Sequence, residues 1–343
     1  MSCSPPDRPA GPSRDAGAAR DIVAVDIGGT HARFAIATIA GGRVVALSDD
    51  RRFRCADDRD FATSWRRYAA SIGRVLPRVA AVAVAAPVGG DVIALSNNEW
   101  VLRRSELAGE PGIETLFVIN DFAAVAHAVA QAPSADFRRI CGPDVDLPAT
   151  GVISVIGPGT GLGVAMLVRD NEGHRVFPSE GGHGSFAALD AEERALAMRL
   201  DDRYGRTSVE RIVSGPGLRD IRAMLAETAQ SADGIDDAAL WQSAIAGTDP
   251  LSAAALDRFC RCLGTFAGDM ALAHGAAGVV IAGSLANRLA GHPALAGLAD
   301  RFVAKGRFSA AMAALPVRLL TLAEPGLFGA AAAFAAEAPA SAR

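Results

Sequence analysis

Hydrophobic and polar positions alternate along the chain in blocks that predict strands and helices in turn. Short apolar runs rich in Val, Ile and Ala are typical of buried strands, and helical spacing of apolar residues fills the intervals. This alternation is typical of an α/β protein whose parallel strands are joined by crossover helices. The predicted strands lie at 22–48 (a hairpin or meander), 79–85, 116–119, 152–168 (a hairpin), 278–282 and 317–322, and the predicted helices at 60–75, 122–130, 190–204, 216–230, 238–247, 252–274 and 325–336, with 131–150 loosely structured.

Two glycine-rich loops, one in each half of the chain, each interrupt a pair of apolar runs. The first is Asp26-Ile27-Gly28-Gly29-Thr30, and the second is Gly157-Pro158-Gly159-Thr160-Gly161-Leu162-Gly163. Each is predicted to be a strand, a tight turn and a second strand. Glycines let backbone N–H groups crowd an anion, and threonine adds a hydroxyl donor. The pair of loops therefore predicts a phosphate-bearing ligand that is held from two sides.

Length and charge narrow the possible classes of protein. The 343 residues fit about two domains, and the 50% hydrophobic content supports a large core. The net charge of −4, with no basic block, argues against a nucleic-acid partner. Every apolar run is shorter than the ~18 residues of a membrane span. Residues 1–20 are rich in Pro, Gly, Ser, Ala and Arg without an apolar segment, so we expect a disordered tail and a cytoplasmic protein.

The lysine and cysteine content argues against several kinds of phosphate-binding and metal site. The single lysine, Lys305, lies in Ala-Lys-Gly-Arg, whereas a P-loop requires Gly-Lys-Ser/Thr and a protein kinase requires a strand lysine. If phosphates bind, backbone amides, hydroxyls and a metal ion must hold them. The 5 cysteines are odd in number and irregularly spaced, so reduced thiols are expected. Cys260-Arg261-Cys262 lacks the nearby partners that complete the four ligands of a structural zinc site.

Two aspartates are candidates for chemistry at phosphate groups. Asp121 follows an apolar strand and precedes a helix, and ligands in open α/β sheets gather at that edge. Its carboxylate is a candidate general base in phosphoryl transfer, whereas the alternative is that Asn120 or Asp121 only caps the helix. Asp26 ends the first strand beside the glycine loop. A carboxylate there fits a site in which Mg²⁺ separates it from a phosphate, and otherwise forms the turn.

Three polar segments are candidates to bind a ligand rich in hydroxyl groups. Glu180 and His183 flank two glycines, which argue against a helix and for a loop that hydrogen-bonds several hydroxyls. The alternative there is a tight turn with a solvated glutamate. Glu210 precedes Gly215-Pro216-Gly217, interpreted as a hard turn, and taken alone it is either a surface charge or a ligand. Asn97 lies in a polar loop after a predicted strand.

Taken together, these motifs resemble the bacterial glucokinase family, within the hexokinase, actin and heat-shock ATPase superfamily. The resemblance begins at about residue 21 and continues to the end of the chain, and its specificity lies in the joint order and spacing of the motifs. It implies an α/β, two-domain, actin-like ATPase (ribonuclease H-like) fold with ATP and sugar in the interdomain cleft. The matching segments are 26–33, 119–122, 157–163, 180–183, 210–217, 281–283 and 325–329.

The resemblance also implies domain limits and a role for each site residue. A small α/β domain is expected at 21–132, completed by a C-terminal helix at 325–343, and a large α/β domain at 133–324. Asp121 is expected to take the proton of the sugar 6-hydroxyl as that oxygen attacks the γ-phosphate of ATP. The expected sugar-binding residues are Asn97, Asn120, Asp121, Glu180, His183 and Glu210; those expected at ATP are Asp26, Ile27, Gly28, Gly29, Thr30, His31, Gly159, Thr160, Gly161 and Gly283, with Asp26 acting on Mg²⁺ through water.

Three departures from the family pattern accompany this hypothesis. His31 replaces an asparagine that usually follows Gly-Gly-Thr, Ser284 replaces a common second glycine, and the cysteine-rich zinc motif of the related ROK kinases and repressors is absent. The expected function is an ATP-dependent glucokinase, and a homodimer is common in the family resembled. The alternatives are a non-catalytic sugar sensor, for which Asp121 has no use, and a kinase that takes mannose, fructose or another hexose, or polyphosphate instead of ATP.

Overall fold

The computed structural model describes residues 19–86, 88–95, 100–107, 112–228 and 236–337. Within these ranges, two large β-sheets alternate with helices. The strands are β1 (Arg20–Ile27), β2 (His31–Ala40), β3 (Arg43–Arg54), β4 (Val79–Val84), β5 (Val92–Ala94), β6 (Val101–Arg103), β7 (Thr115–Asn120), β8 (Phe137–Cys141), β9 (Gly151–Pro158), β10 (Leu162–Asp170), β11 (Gly173–Ser179), β12 (Gly278–Ile281) and β13 (Val317–Leu320). The α-helices are α1 (Phe61–Ile72), α2 (Arg104–Leu107), α3 (Asp121–Gln131), α4 (Ala191–Tyr204), α5 (Val209–Ile212), α6 (Gly215–Thr228), α7 (Asp237–Ala246), α8 (Pro250–His274), α9 (Ser284–Arg288), α10 (Leu295–Val303), α11 (Ser309–Ala313) and α12 (Pro325–Glu337).

The first sheet has the strand order β3-β2-β1-β4-β7. Its first three strands are antiparallel, and β4 and β7 run parallel to β1. Every residue of β4 is buried, as expected for a central strand covered on both faces. Phe61, Trp65 and Tyr68 of α1 pack on one face, and Leu327 and Phe334 of α12 pack on the other. The carboxyl ends of β1 and β7 therefore meet at one edge of this sheet.

The second sheet repeats this arrangement, with the order β11-β10-β9-β12-β13-β8. An antiparallel β9–β10–β11 unit is again followed by two parallel strands, β12 and β13. Strand β8 adds an antiparallel edge. The long helix α8 contributes Leu256, Phe259 and Leu263 to the core on one face. Each sheet thus begins with a β-hairpin whose turn is one of the two glycine loops.

Helix α3 lies between the two sheets and contacts both. Its Ala123 and Ala124 belong to the core of the first sheet, whereas Ala126 and Val129 belong to the core of the second. Asn120 starts the helix, because its side-chain oxygen accepts from the N–H groups of the next turn. The residue that follows Asn120 is Asp121, so the fold places this carboxylate at the junction of the sheets.

Each predicted strand and helix is present in the described residues, but two segments differ from their prediction, and the structure adds elements that were not predicted, namely β5, β6, β11, α2, α5, α9, α10 and α11. Residues 131–150 are not loosely structured throughout, because β8 pairs with β13 there. This strand is an edge strand with exposed arginines, so it lacks an apolar alternation. Gly215–Gly217 is not a hard turn but the first turn of α6, a position where helices tolerate proline.

The thiols and the helices agree with the expectations from composition. Every helix in the described ranges is too short or too polar to cross a membrane. Cys55, Cys141, Cys260 and Cys262 are reduced thiols, and Cys3 lies outside the described residues.

Candidate active site

The first glycine loop forms the turn between β1 and β2. The N–H of Gly28 donates to the carbonyl of His31 at 3.0 Å, which closes the turn. Gly29 and Thr30 at its tip are exposed, whereas Ile27 beneath it is buried. A methyl group added at Gly28 would meet its nearest neighbour, the carbonyl of His31, at 3.8 Å. The turn therefore presents an open face on which backbone amides and a hydroxyl can meet an anion.

Asp26 lies beneath this loop and is fixed by an ion pair. Arg33, its cross-strand partner, donates to its carboxylate at 2.8 Å and also lies 3.2 Å from the carboxylate of Glu324. Burial raises the pKa of Asp26, and the positive charge of Arg33 opposes that rise. A methyl group at Gly326, in the first turn of α12, would lie 2.6 Å from the Asp26 carboxyl. The first loop is thus joined to α12 through charged side chains.

The second glycine loop is fixed mainly through its backbone. The N–H of Gly159 donates to the carbonyl of Gly161 at 2.8 Å, and the N–H of Gly215 donates to the carbonyl of Gly159 at 2.7 Å. The indole N–H of Trp241 in turn donates to the carbonyl of Gly215 at 3.1 Å. Thr160 at the tip is exposed. This chain of neutral hydrogen bonds ties the loop to α6 and α7.

Asp121 is the first residue of α3 and has an unusual environment. One carboxylate oxygen accepts from the N–H of Phe122 at 2.8 Å. Burial, together with the nearby Asp26 and Glu180 carboxylates, raises the pKa of Asp121 to about 6. Asn120 supplies the helix cap, as the capping alternative allowed, and Asp121 is not the capping residue. The carboxylate is ionised at neutral pH and basic enough to accept a proton.

Glu180, His183 and Glu210 come together beside the second glycine loop. His183 Nε2 lies 3.7 Å from a Glu180 oxygen and 3.9 Å from a Glu210 oxygen. Residues 181–183 form one turn of 3₁₀ helix, so the two glycines exclude only the α-helix. Glu210 accepts from the N–H of Leu162 at 2.8 Å. The three side chains form a polar cluster rich in donors and acceptors.

The remaining residues predicted to bind a ligand lie near the two loops, apart from one that is outside the described residues. Gly283 precedes α9 at φ +103°, and a methyl group there would lie 3.2 Å from the carbonyl of Pro158. His31 contacts Arg52 at 3.2 Å, and burial together with Arg52 lowers the pKa of His31. Ser284 is exposed at the start of α9. Asn97 lies outside the described residues.

The donor set around Asp26 is compatible with a magnesium ion that arrives with a nucleotide. Within the described ranges, no group of three or more His, Cys, Asp and Glu side chains forms a metal cage. Mg²⁺ typically takes only one or two carboxylates, with waters and substrate phosphates completing its shell. Asp26, Asp121 and Glu180 concentrate negative charge here, so a cation would relieve their repulsion. The residues therefore fit Mg²⁺ held jointly by protein and ligand.

Two side chains near the site were not assigned a role from the sequence. Arg33 joins Asp26 to Glu324, and Phe122 packs beside Gly157 and Gly163. Arg33 and Phe122 fall inside recognised motifs, but their partners lie far away in the chain. Cross-strand register relates Arg33 to Asp26, whereas no sequence signal relates Phe122 to either glycine.

Comparison with known proteins identifies the family. A family model described as Glucokinase matches residues 23–337. The chain belongs to the glucokinase family. A glucokinase of Zymomonas mobilis is 50% identical over 316 residues, which cover 92% of this chain and 98% of that protein. The predicted resemblance to this family is therefore confirmed.

Solved structures of glucokinases have the same fold. The glucokinase from an Antarctic psychrotroph superposes with a TM-score of 0.78 at 34% identity, covering 92% of this chain and 99% of its own. The glucokinase of Balamuthia mandrillaris in complex with glucose gives a TM-score of 0.77 at 22% identity, covering 93% and 94%, a similarity that concerns the fold alone. The predicted two-domain actin-like ATPase fold is confirmed by these matches.

Proposed function

We propose that the protein is an ATP-dependent glucokinase, which transfers the γ-phosphoryl group of ATP to the 6-hydroxyl of glucose. The observation that carries the proposal is the position of Asp121. A partly buried carboxylate with a pKa of about 6 lies at the junction of two sheets, and each sheet contributes a glycine loop suited to phosphate. Family membership supplies the substrates, glucose and ATP.

In this proposal Asp121 acts as the general base. The Phe122 N–H engages one carboxylate oxygen, and the other oxygen accepts the proton of the 6-hydroxyl as that oxygen attacks phosphorus. The products are glucose 6-phosphate and ADP. Phosphoryl transfer depends on positioning and charge neutralisation more than on covalent catalysis. A base with a pKa of about 6 is mostly ionised at neutral pH. Its pKa is also close enough to neutral pH for efficient proton transfer.

The other site residues bind and orient the substrates. The cluster of Glu180, His183 and Glu210 engages sugar hydroxyls, together with the predicted Asn97 and the amide N–H₂ of Asn120. A site built from such partners penalises a sugar that leaves one of them unpaired. The two loops bind the phosphates through Gly28, Gly29, Thr30, Gly159, Thr160 and Gly161. When bound, Mg²⁺ neutralises phosphate charge, and Asp26 would hold it through water.

Three finer points stay predictions. These are the use of Mg²⁺, assembly into a homodimer, and a cytoplasmic location. Light scattering on the purified protein tests the dimer, because a homodimer has twice the mass of the 35.2 kDa chain. The domain limits at 132/133 and 324/325 also stay predictions. Limited proteolysis with and without substrates tests them.

A substrate panel tests the proposed function. Phosphorylation of glucose, mannose and fructose is measured with ATP or polyphosphate, with and without Mg²⁺, for the wild type and for Asp121→Ala and Asp121→Asn. We expect turnover of glucose with ATP and Mg²⁺, and a loss of at least ~100-fold in kcat for both variants. Glucose binding without turnover favours a sugar sensor. A preference for another sugar or donor means that the proposed substrate or phosphate donor is wrong. Full activity of a folded Asp121→Ala variant contradicts the mechanism.

A further inference from the structure

The ring of Phe122, the residue after Asp121, packs across the strands of the second glycine hairpin. Gly157 of β9 and Gly163 of β10 lie directly opposite each other in the sheet. A methyl group at Gly157 would lie 2.2 Å from Cε2 of the ring, and one at Gly163 would lie 2.2 Å from Cδ2. Such distances are far below van der Waals contact. The ring therefore occupies the space that side chains at both positions would need.

This packing, not the turn, accounts for the two glycines. Neither Gly157 nor Gly163 has a positive φ, so their backbone conformations suit any residue. By contrast, a methyl group at Gly159 would meet nothing within 4 Å, as befits a position that is open to a ligand. The outer glycines of the motif thus make room for the Phe122 ring, whereas Gly159 is open and Gly161 lies against the carboxylate of Glu210.

Phe122 also fixes the carboxylate that precedes it. Its N–H lies 2.8 Å from an oxygen of Asp121 and 3.0 Å from the side-chain oxygen of Asn120. Asn120 ends β7 of the first sheet, whereas the ring packs on the second sheet. One residue therefore links Asp121 to both halves of the molecule.

We propose that Phe122 is a positioning residue, which holds the Asp121 carboxylate at a constant distance from the second phosphate loop by packing its ring on Gly157 and Gly163. This inference rests on the proposed function. A base must lie within hydrogen-bond reach of the hydroxyl while that oxygen attacks the phosphate. A misplacement of ~1 Å can cost on the order of 100-fold in rate. The ring makes the base and the loop one unit, even where the two sheets shift relative to each other.

A double-mutant cycle tests this contact in the full-length protein. Gly157→Ala displaces the ring, and Phe122→Ala removes it, so each should lower kcat by about 10-fold or more with KM for glucose changed less than about 3-fold. In the double variant the added methyl group enters the vacated space, where its nearest remaining neighbour is the carbonyl of Ala282 at 3.0 Å. We expect the double variant to match Phe122→Ala within about 2-fold. Multiplying losses in kcat would overturn the proposal.

The pH profile separates positioning from general loss of stability. Phe122→Ala admits water beside Asp121, so the acid limb of its kcat/KM profile should move to lower pH. Phe122→Leu keeps apolar volume, so its acid limb should lie between those of Phe122→Ala and the wild type. Phe334→Ala is the matched control, because it removes a buried ring that packs on Phe117 in the first sheet. We expect Phe334→Ala to lower the Tm but to leave kcat and the acid limb unchanged. Equal changes in kcat and acid limb in both alanine variants would contradict positioning.

Thermal unfolding gives a readout that does not depend on activity. The losses in Tm of Phe122→Ala and Gly157→Ala should be strongly non-additive in the double variant. If the wild type is active but the cycle is additive in both Tm and kcat, the positioning role alone fails. If the wild type phosphorylates no hexose, the proposed function fails and the positioning role fails with it, whatever the Tm cycle shows.

Discussion

The two hairpins that begin the sheets share a topology but are held in place by different interactions. The β1–β2 hairpin is held by charge, because Arg33 pairs with Asp26 beneath the loop and with Glu324 before α12. The β9–β10 hairpin is held by close packing on glycine and by backbone hydrogen bonds, of which one links Gly159 to Gly215 and another joins Leu162 to the Glu210 carboxylate. Charge pairs respond to salt, whereas close packing responds to a single methyl group.

This difference has a consequence for Asp121. The residue is joined to the first sheet through β7, but its neighbour packs on the second hairpin. The base therefore lies beside the more closely packed of the two glycine loops. The first loop, held by partly exposed ion pairs, is the one whose position can be tuned by ionic conditions.

The largest effect is expected from a methyl group in the second loop. Gly161→Ala would place its Cβ 2.5 Å from a carboxylate oxygen of Glu210, so Glu210 must leave the N–H of Leu162. We expect a loss of about 1–3 kcal/mol in the free energy of unfolding, because the buried N–H of Leu162 loses its acceptor, and weaker ATP binding. Gly28→Ala in the first loop is the matched control. Its nearest neighbour would lie at 3.8 Å, and we expect its free energy of unfolding to stay within about 0.5 kcal/mol of the wild type.

Chemical denaturation of both variants measures this contrast. Equal losses in the two loops would contradict the view that only the second is closely packed. Retention of the Glu210 to Leu162 hydrogen bond in a crystal structure of Gly161→Ala would do the same.

A smaller effect is expected from removing the charge that holds the first loop. Arg33→Met leaves Asp26, whose side chain is 13% exposed, without its partner, so its pKa should rise further. We expect a loss of about 1–2 kcal/mol in the free energy of unfolding at low salt. In ~1 M NaCl, where the Debye length is about 3 Å, the difference from the wild type should shrink.

Arg59→Met is the control for this prediction, because Arg59 is 84% exposed in its pair with Asp60 and such pairs contribute little. The loss in Gly161→Ala, which starts from a steric clash, should depend less on salt than the loss in Arg33→Met. A salt-independent loss in Arg33→Met would mean that packing, and not charge, holds the first loop.

The smallest effect is expected at His31. Burial and the positive charge of Arg52 lower the pKa of His31, so the ring is already neutral at pH 7. His31→Asn should therefore change KM for ATP by less than about 2-fold and leave the pH profile between pH 6.5 and 9 unaltered. Steady-state kinetics across this range measure both quantities. If the wild type shows an ionisation in this pH range that His31→Asn lacks, His31 titrates in the working enzyme.

The sequence predicted elements and site residues wherever the signal was local. Apolar runs located β1, β4 and β9, and the asparagine before Asp121 indicated a helix cap. Prediction from the sequence was wrong where local signals were ambiguous. Gly215–Gly217 has the composition of a turn but starts α6, and Phe137–Cys141 carries two exposed arginines at a sheet edge and lacks an apolar period.

Contacts between distant segments lay beyond prediction from one sequence. Arg33 pairs with Glu324, and Phe122 packs on Gly157. Both contacts join segments that are distant in the sequence and that only the tertiary fold brings together. Glu210 was ambiguous for the same reason, because only the fold brings it to the N–H of Leu162. The sequence therefore predicts which residues can do the chemistry, and the structure adds what holds them in place.

The pH dependence of kcat/KM for glucose at saturating ATP and Mg²⁺ tests the central claim, that a partly buried Asp121 is the base. The base must be ionised to accept the proton, so activity should rise with pH through a single ionisation near pH 6, where burial and two nearby carboxylates place the pKa of Asp121. A profile that stays flat down to pH 4.5 would contradict this account, because it would mean that the base is an ordinary solvated carboxylate or that none is needed.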